Sequence, residues 1–177
     1  LEDGKTTLRH TMPTNGGKLN DFPKIKPCQE TLRYERKTGK KTITVGDGLR
    51  VSSNYVFQRL VADHYQDCPD RFVSRLYEYN LHNAYKFDLK EKGGTMPELP
   101  KADRKMGKYD LLVSAIGYNV KETPLNIAAF YNAIANGGKM MKPYVIDAYE
   151  KNGVVTRQFE PVILNGSICS KATADSL

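Results

Sequence analysis

Apolar positions recur with a helical period through the middle of the chain, and the pattern weakens towards the start. From Asn54 to Tyr65 the less polar side chains fall at Phe57, Leu60, Val61, His64 and Tyr65, the spacing of one helix face. Just upstream, Thr44 with Asp47 three residues later is a capping-box type start, which predicts a short helix through Val51 weakened by Gly46 and Gly48. Residues 69–81 place Phe72, Leu76 and Tyr79 or Tyr77 on one face and predict another helix, and residues 108–116 predict a short one. The clearest element is TPLNIAAFYNAIANGG, residues 123–138. Thr123 is its N-cap, Pro124 sits at the first helical position where its missing N–H costs nothing, and Gly137 is the left-handed residue past the end. Ile127, Tyr131 and Ile134 form its predicted buried stripe, and the flanking Ala128 and Ala135 imply close packing against a neighbouring helix. Runs at 143–149 and 154–160 around Asn152-Gly153 predict a β-hairpin, and residues 170–177 read as the first turns of a helix.

Two regions lack this order. Residues 1–42 hold three prolines and a Gly-Gly within TMPTNGGKLNDFPKIKPC, and read as loop with at most short extended pieces packed against something else. Residues 86–107, with Gly93, Gly94, Pro97 and Pro100, read as a long connection. No internal repeat or low-complexity tract interrupts the chain.

A length of 177 residues suits one domain with a single core. No apolar run approaches the ~18–20 residues that cross a bilayer, and no signal peptide is visible. The first residue is Leu1 rather than Met, so the chain reads as a piece of a longer protein. The formal charge of +7 is spread along the sequence, with its densest patch in RYERKTGKK, residues 33–41. Such a patch suits a solvated loop or a surface facing an anionic cell wall or membrane, and no recognition motif accompanies it that would favour nucleic acid. Cys28, Cys68 and Cys169 are too far apart for zinc-ligand pairs, and His10, His64 and His82 do not fall at ligand spacings with one another, so no metal or cofactor is implied. Tyr77, Tyr79, Tyr85 and Tyr131 read as core and boundary packing.

The remaining question is why three small polar residues, Ser52, Ser53 and Asn54, stand directly before a helix. The plain answer is a cap, worth about 1 kcal/mol. A sharper answer comes from two stretches: TITVGDGLRVSSNYVFQRL at 42–60 and SAIGYNVKETPLNIAAFYNAIANGGKMMKPYVI at 114–146. In this order they resemble the transpeptidase domain of class B penicillin-binding proteins, with a lean towards the division-type septal peptidoglycan synthase. FDLKEKGGTMPELP at 87–100 resembles the family's linking segment, and the opening LEDGK resembles the stretch after its nucleophile helix. The implied fold is α/β (α+β): the helical part of a penicillin-binding-protein or serine β-lactamase-like transpeptidase domain, with a β-hairpin and an incomplete central sheet.

That resemblance implies D,D-transpeptidation through an acyl-serine, with peptidoglycan stem peptides and β-lactams as ligands and division or elongation proteins as partners. It implies a membrane-anchored parent with this domain on the periplasmic side. Of the family's three motifs, S-x-x-K, S-x-N and K-T-G, Ser52 and Asn54 match the second. A serine hydroxyl both donates and accepts, so Ser52 suits a proton relay, and the two-ended amide of Asn54 suits holding a lysine ammonium and a substrate carbonyl together. Ser53 is the variable middle position and should point elsewhere. Residues 1–177 contain no S-x-x-K, and the K-T-G at Lys37-Thr38-Gly39 precedes S-x-N, in a charged loop rather than a strand, and reads as coincidence. The expectation is thus a partial domain, with the nucleophile segment before residue 1 and the K-T-G strand after 177, inactive by itself. Asn119 stands where the family often has glycine, and Asn tolerates the positive φ such a turn needs. A carboxypeptidase or sensor would share these motifs. The rival from another class is a non-catalytic basic helical module that binds an acidic partner or nucleic acid.

Overall fold

A computed structural model describes residues 1–85, 98–101 and 106–177. Most of the connection read at 86–107, and with it most of the linking segment, lies outside the described residues. The elements run β1 (Thr11–Pro13), α1 (Gln29–Thr38), β2 (Thr42–Thr44), α2 (Val45–Arg50), α3 (Asn54–Tyr65), α4 (Pro69–Glu78), α5 (Lys108–Ser114), α6 (Pro124–Ala135), β3 (Met140–Met141), β4 (Ala148–Lys151), β5 (Val154–Gln158), β6 (Ile163–Asn165) and α7 (Lys171–Ser176). The described strands pair antiparallel in three two-stranded sheets, β1–β2, β3–β6 and β4–β5. This is a mixed helix and strand fold whose sheets are small and open. The single core expected from length is replaced by two compact units, Leu1–Val73 with Pro100–Asn119, and Ser74–Leu99 with Val120–Leu177, each with its own apolar cluster.

In the first unit, β1 and β2 pair Met12 with Ile43 and turn both inward. They join Phe22, Tyr34, Val45, Tyr55, Val56, Ala62 and Leu112 in one cluster. The Thr44 hydroxyl accepts the Asp47 N–H at 3.0 Å and starts α2 as the capping box predicts. The helix at 54–65 has the predicted bounds, but its core face is rotated. Tyr55, Val56 and Ala62 are buried, whereas Phe57, Leu60, Val61, His64 and Tyr65 are only partly covered. The reason lies in α2: a Cβ on Gly48 would come within 2.7 Å of the Val56 side chain, so glycine lets α2 seat directly on the Val56 face.

The reading of residues 1–42 as loop misses α1, and Lys37-Thr38-Gly39 is the end of that helix, with Gly39 left-handed at φ 69°. The inward face of α1 is polar rather than apolar, which hides its period. Thr31 and Tyr34 are its buried residues, and Glu35 serves as a clamp. The Glu35 carboxylate accepts from the Thr14 hydroxyl, from the Gly16 N–H at 3.1 Å and from the Lys41 ammonium at 2.9 Å. Led by the Thr14 bond, these donors hold its pKa down at about 2.

In the second unit, Thr123 caps α6 with Pro124 at its first turn, and Gly137 has φ 64°. The predicted stripe is displaced: Ile127 and Tyr131 are 47% and 67% exposed, Ala128 and Ala135 are exposed, and the buried residues are Asn126, Ala129 and Ala133. Burial of Asn126 follows from its amide, which donates to the Leu81 and Asn83 carbonyls at 3.3 and 2.7 Å. Small alanines then allow Met140, Ile168 and Cys169 to close over the helix, with Tyr79, Phe130 and Ile134 at the edge. Gly138 is required here, since a Cβ would stand 2.1 Å from the Cys169 carbonyl oxygen. The hairpin forms around Asn152 and Gly153, both at positive φ, but its strands are shorter than the predicted runs. Likewise the helix predicted over 69–81 ends at Glu78.

Two carboxyl groups give opposite pH signatures. The lowered pKa of Glu35 stabilises the fold above its ordinary 4.5, and that contribution is lost as pH falls towards about 2. Glu35→Gln should therefore cost about 2 kcal/mol at neutral pH, with the gap to wild type narrowing in acid, as measured by urea unfolding. Glu122 is the reverse: both its oxygens are buried with no hydrogen bond among the described residues, and burial pushes its pKa up to about 7. Folded protein then holds a proton that unfolded protein releases, so stability declines as pH rises from 4.5 to about 7. Glu122→Gln should flatten that decline and raise the melting temperature above pH 7, as followed by circular dichroism.

Candidate active site

The residues at 51–54 form the junction between α2 and α3, and both helix ends share it. Helix α2 closes with Ser53 N–H donating to the Gly48 carbonyl at 2.8 Å and Ser52 N–H to the Leu49 carbonyl at 3.1 Å. This is a Schellman pattern, which needs a left-handed residue past the helix end. Glycine is usual there, yet Ser52 holds the position at φ 53°. A non-glycine residue in that region costs of order 1 kcal/mol and persists only where the surroundings fix it.

What fixes it is Ser53. Its side chain is fully buried, and its Oγ accepts the Val56 N–H at 3.2 Å as the N-cap of α3. The same hydroxyl lies 2.7 Å from Thr31 Oγ1 on α1, which is itself buried, and 3.9 Å from Cys28 Sγ. The middle position of Ser-Ser-Asn is thus the structural one, as expected. Its neighbours on either side, Ser52 and Asn54, are exposed, and their side chains form no hydrogen bond to protein among the described residues. One buried anchor therefore presents two polar side chains to solvent, one able to relay a proton and one able to donate and accept at once.

The chain around the junction is held by charge as well. Asp47 bonds Arg50 at 2.9 Å and Tyr34 Oη at 3.1 Å. The Arg50 guanidinium is the main reason its carboxyl sits below the usual range. Burial, reinforced by Asp47, raises the Tyr34 phenol. The Lys37-Thr38-Gly39 triplet takes no such role: the Thr38 hydroxyl is spent on the Tyr34 carbonyl at 2.8 Å. Thr31 is the site-supporting residue that sequence reasoning missed, because a single threonine in a segment without apolar period carries no signal. Beyond the end of α5, still in the first unit, Gly117 has φ 91° and Asn119 adopts φ 61°, the positive φ that the turn asks of it.

Separating cap from site gives a direct test. Ser53→Ala should lower stability by about 1–2 kcal/mol, whereas Ser52→Ala should stay within about 0.5 kcal/mol of wild type, both by chemical denaturation.

Comparison with known proteins places the chain in a family. No curated protein matches the chain. Among solved structures, the transpeptidase domain of penicillin-binding protein 3 from Burkholderia pseudomallei superposes with a TM-score of 0.72 at 17% identity, covering 99% of this chain and 46% of that one. The D,D-transpeptidase domain of a peptidoglycan glycosyltransferase from Eggerthella lenta gives 0.69 at 22% identity, with 98% and 42% covered. Penicillin-binding protein 3 from Mycobacterium tuberculosis, complexed with aztreonam, gives 0.57 at 25% identity, with 71% and 26% covered. The chain thus spans less than half the length of these structures. The family model described as the penicillin binding protein transpeptidase domain matches residues 1–177. From end to end, the chain belongs to the penicillin-binding protein transpeptidase family.

Proposed function

We propose that the protein carrying this chain is a peptidoglycan D,D-transpeptidase that cross-links stem peptides through an acyl-serine and is acylated by β-lactams. The observation that carries this reading is the presentation of Ser52 and Asn54, exposed and without a side-chain hydrogen bond among the described residues, on either side of the buried Ser53 within a chain of this family. Ser52 relays the proton from the attacking hydroxyl towards the leaving amine. Asn54 positions the catalytic lysine and the substrate carbonyl. Residues 1–177 contain no Ser-x-x-Lys, so the nucleophile and its lysine come from outside them, as does the strand that binds the substrate carboxylate, and this stretch by itself is inactive. The Mycobacterium tuberculosis relative in complex with aztreonam supports β-lactams as ligands.

The reading extends to location and partners. Cross-linking of wall peptides takes place outside the cytoplasmic membrane, so this domain sits on the periplasmic face of an anchored protein. The anchor itself is not among these elements: no helix of the described residues is long and apolar enough to cross a membrane. Partners are proteins of the division machinery, in keeping with the septal type of synthase that the sequence resembles, and the elongation type is the second choice.

The test is intact mass of the protein after incubation with a penicillin, followed by peptide mapping. A single adduct on a serine outside residues 1–177 is expected, and Ser52→Ala should slow its formation by about 10²-fold or more. Absence of an adduct on folded protein, or an unchanged rate in Ser52→Ala, would overturn the assignment.

A further inference from the structure

The basic run at 33–41 remains outside the chemistry described so far. Its residues 33–38 fold as the second half of α1, with Lys40 and Lys41 past the helix end, which groups the charge by helix face. Arg33 and Lys37 stand four residues apart and share a helix face. With Arg50 from the last turn of α2 they line a groove of about 250 Å³. Tyr34 and Val51 supply its apolar lining, and Glu30 stands one turn before Tyr34 on the same wall. Arg33 and Lys37 are exposed and form no ion pair among the described residues. Arg50 bonds Asp47 but keeps a side chain 69% exposed, so some of its donors still face solvent.

The mixture of groups selects the ligand. A phosphate polymer would use the cations and gain nothing from the Tyr34 and Val51 surface, whereas repulsion at Glu30 weighs on any anionic ligand alike. An acidic peptide with an apolar side chain uses both parts: carboxylates bind Arg33 and Lys37, with Arg33 able to take one in bidentate fashion, and the apolar side chain covers Tyr34 and Val51. We propose that this groove docks an acidic segment of a partner protein bearing an apolar anchor residue. The two cations unspent inside the fold, beside an apolar floor, carry the inference. Val51 precedes Ser52 directly, so the docking groove borders the turn that presents the candidate active site.

The probe is a fluorescein-labelled peptide of repeating Glu-Glu-Leu, followed by fluorescence polarisation on the protein carrying this chain. Binding is expected at low ionic strength and should weaken as salt rises. R33E/K37E should lose about tenfold or more in affinity. R36E/K40E makes the same charge change on exposed residues outside the groove, and should stay within about twofold of wild type. R33Q/K37Q gives the same contrast if charge reversal disturbs folding. A repeating Glu-Glu-Ser peptide should bind more weakly, and inorganic polyphosphate of matched charge should compete poorly. Equal losses in both double variants, equal binding of the serine peptide, equal competition by polyphosphate, or no binding at all would each overturn the proposal.

Discussion

The buried hydroxyl of Ser53 is the interaction on which the candidate site depends. It terminates one helix through its backbone N–H, starts the next through its side chain, and is tied to α1 by Thr31. Three elements thus meet at one oxygen and its own peptide group. Because the oxygen is sealed from water, its partners cannot be exchanged for solvent, and leaving one of them unpaired would cost the desolvation of a buried polar group. That makes the junction stiff at the point where the chain must hold Ser52 in a left-handed conformation.

The same economy recurs away from the site. Each unit is small, and its apolar cluster is assisted by a polar clamp that joins segments far apart in sequence. In the first, Glu35 gathers Thr14, Gly16 and Lys41. In the second, Asn126 gathers the carbonyls of Leu81 and Asn83. Clamps of this kind fix loops that have no hydrogen-bonded ladder of their own, which is how residues 1–28 are ordered with little regular structure. Glycines 48 and 138 complete the arrangement by letting backbone and side chain meet where a Cβ would not fit.

For function, the consequence is a division of labour within three consecutive residues. Alternation across the turn sends Ser53 inward and leaves Ser52 and Asn54 outside. Under the proposed function such a pair is preorganised, since among the described residues neither side chain has an internal hydrogen bond to break before it meets substrate. Under the proposed function, the cap and the candidate site are thus different residues of the same short motif.

The sequence by itself determined the helix starts at Thr44 and Thr123, the helix over 54–65, the glycine end at Gly137, the Asn152-Gly153 turn and the family. All of these are local, set by caps, positive φ and short-range motifs that a few neighbouring residues specify. Tertiary structure decided which faces are buried. Helix α1 was hidden because Thr31, Tyr34 and Glu35 face inward as polar groups, so apolar periodicity had nothing to report. The stripe of α6 was misplaced because the amide of Asn126, seeking the carbonyls of Leu81 and Asn83, outweighed the apolar pull of Ile127 and Tyr131. The face of α3 was turned by Gly48, whose missing side chain admits Val56. Burial of a polar face is worth having only when its partners arrive from elsewhere in the chain, and a single sequence read locally does not hold that information.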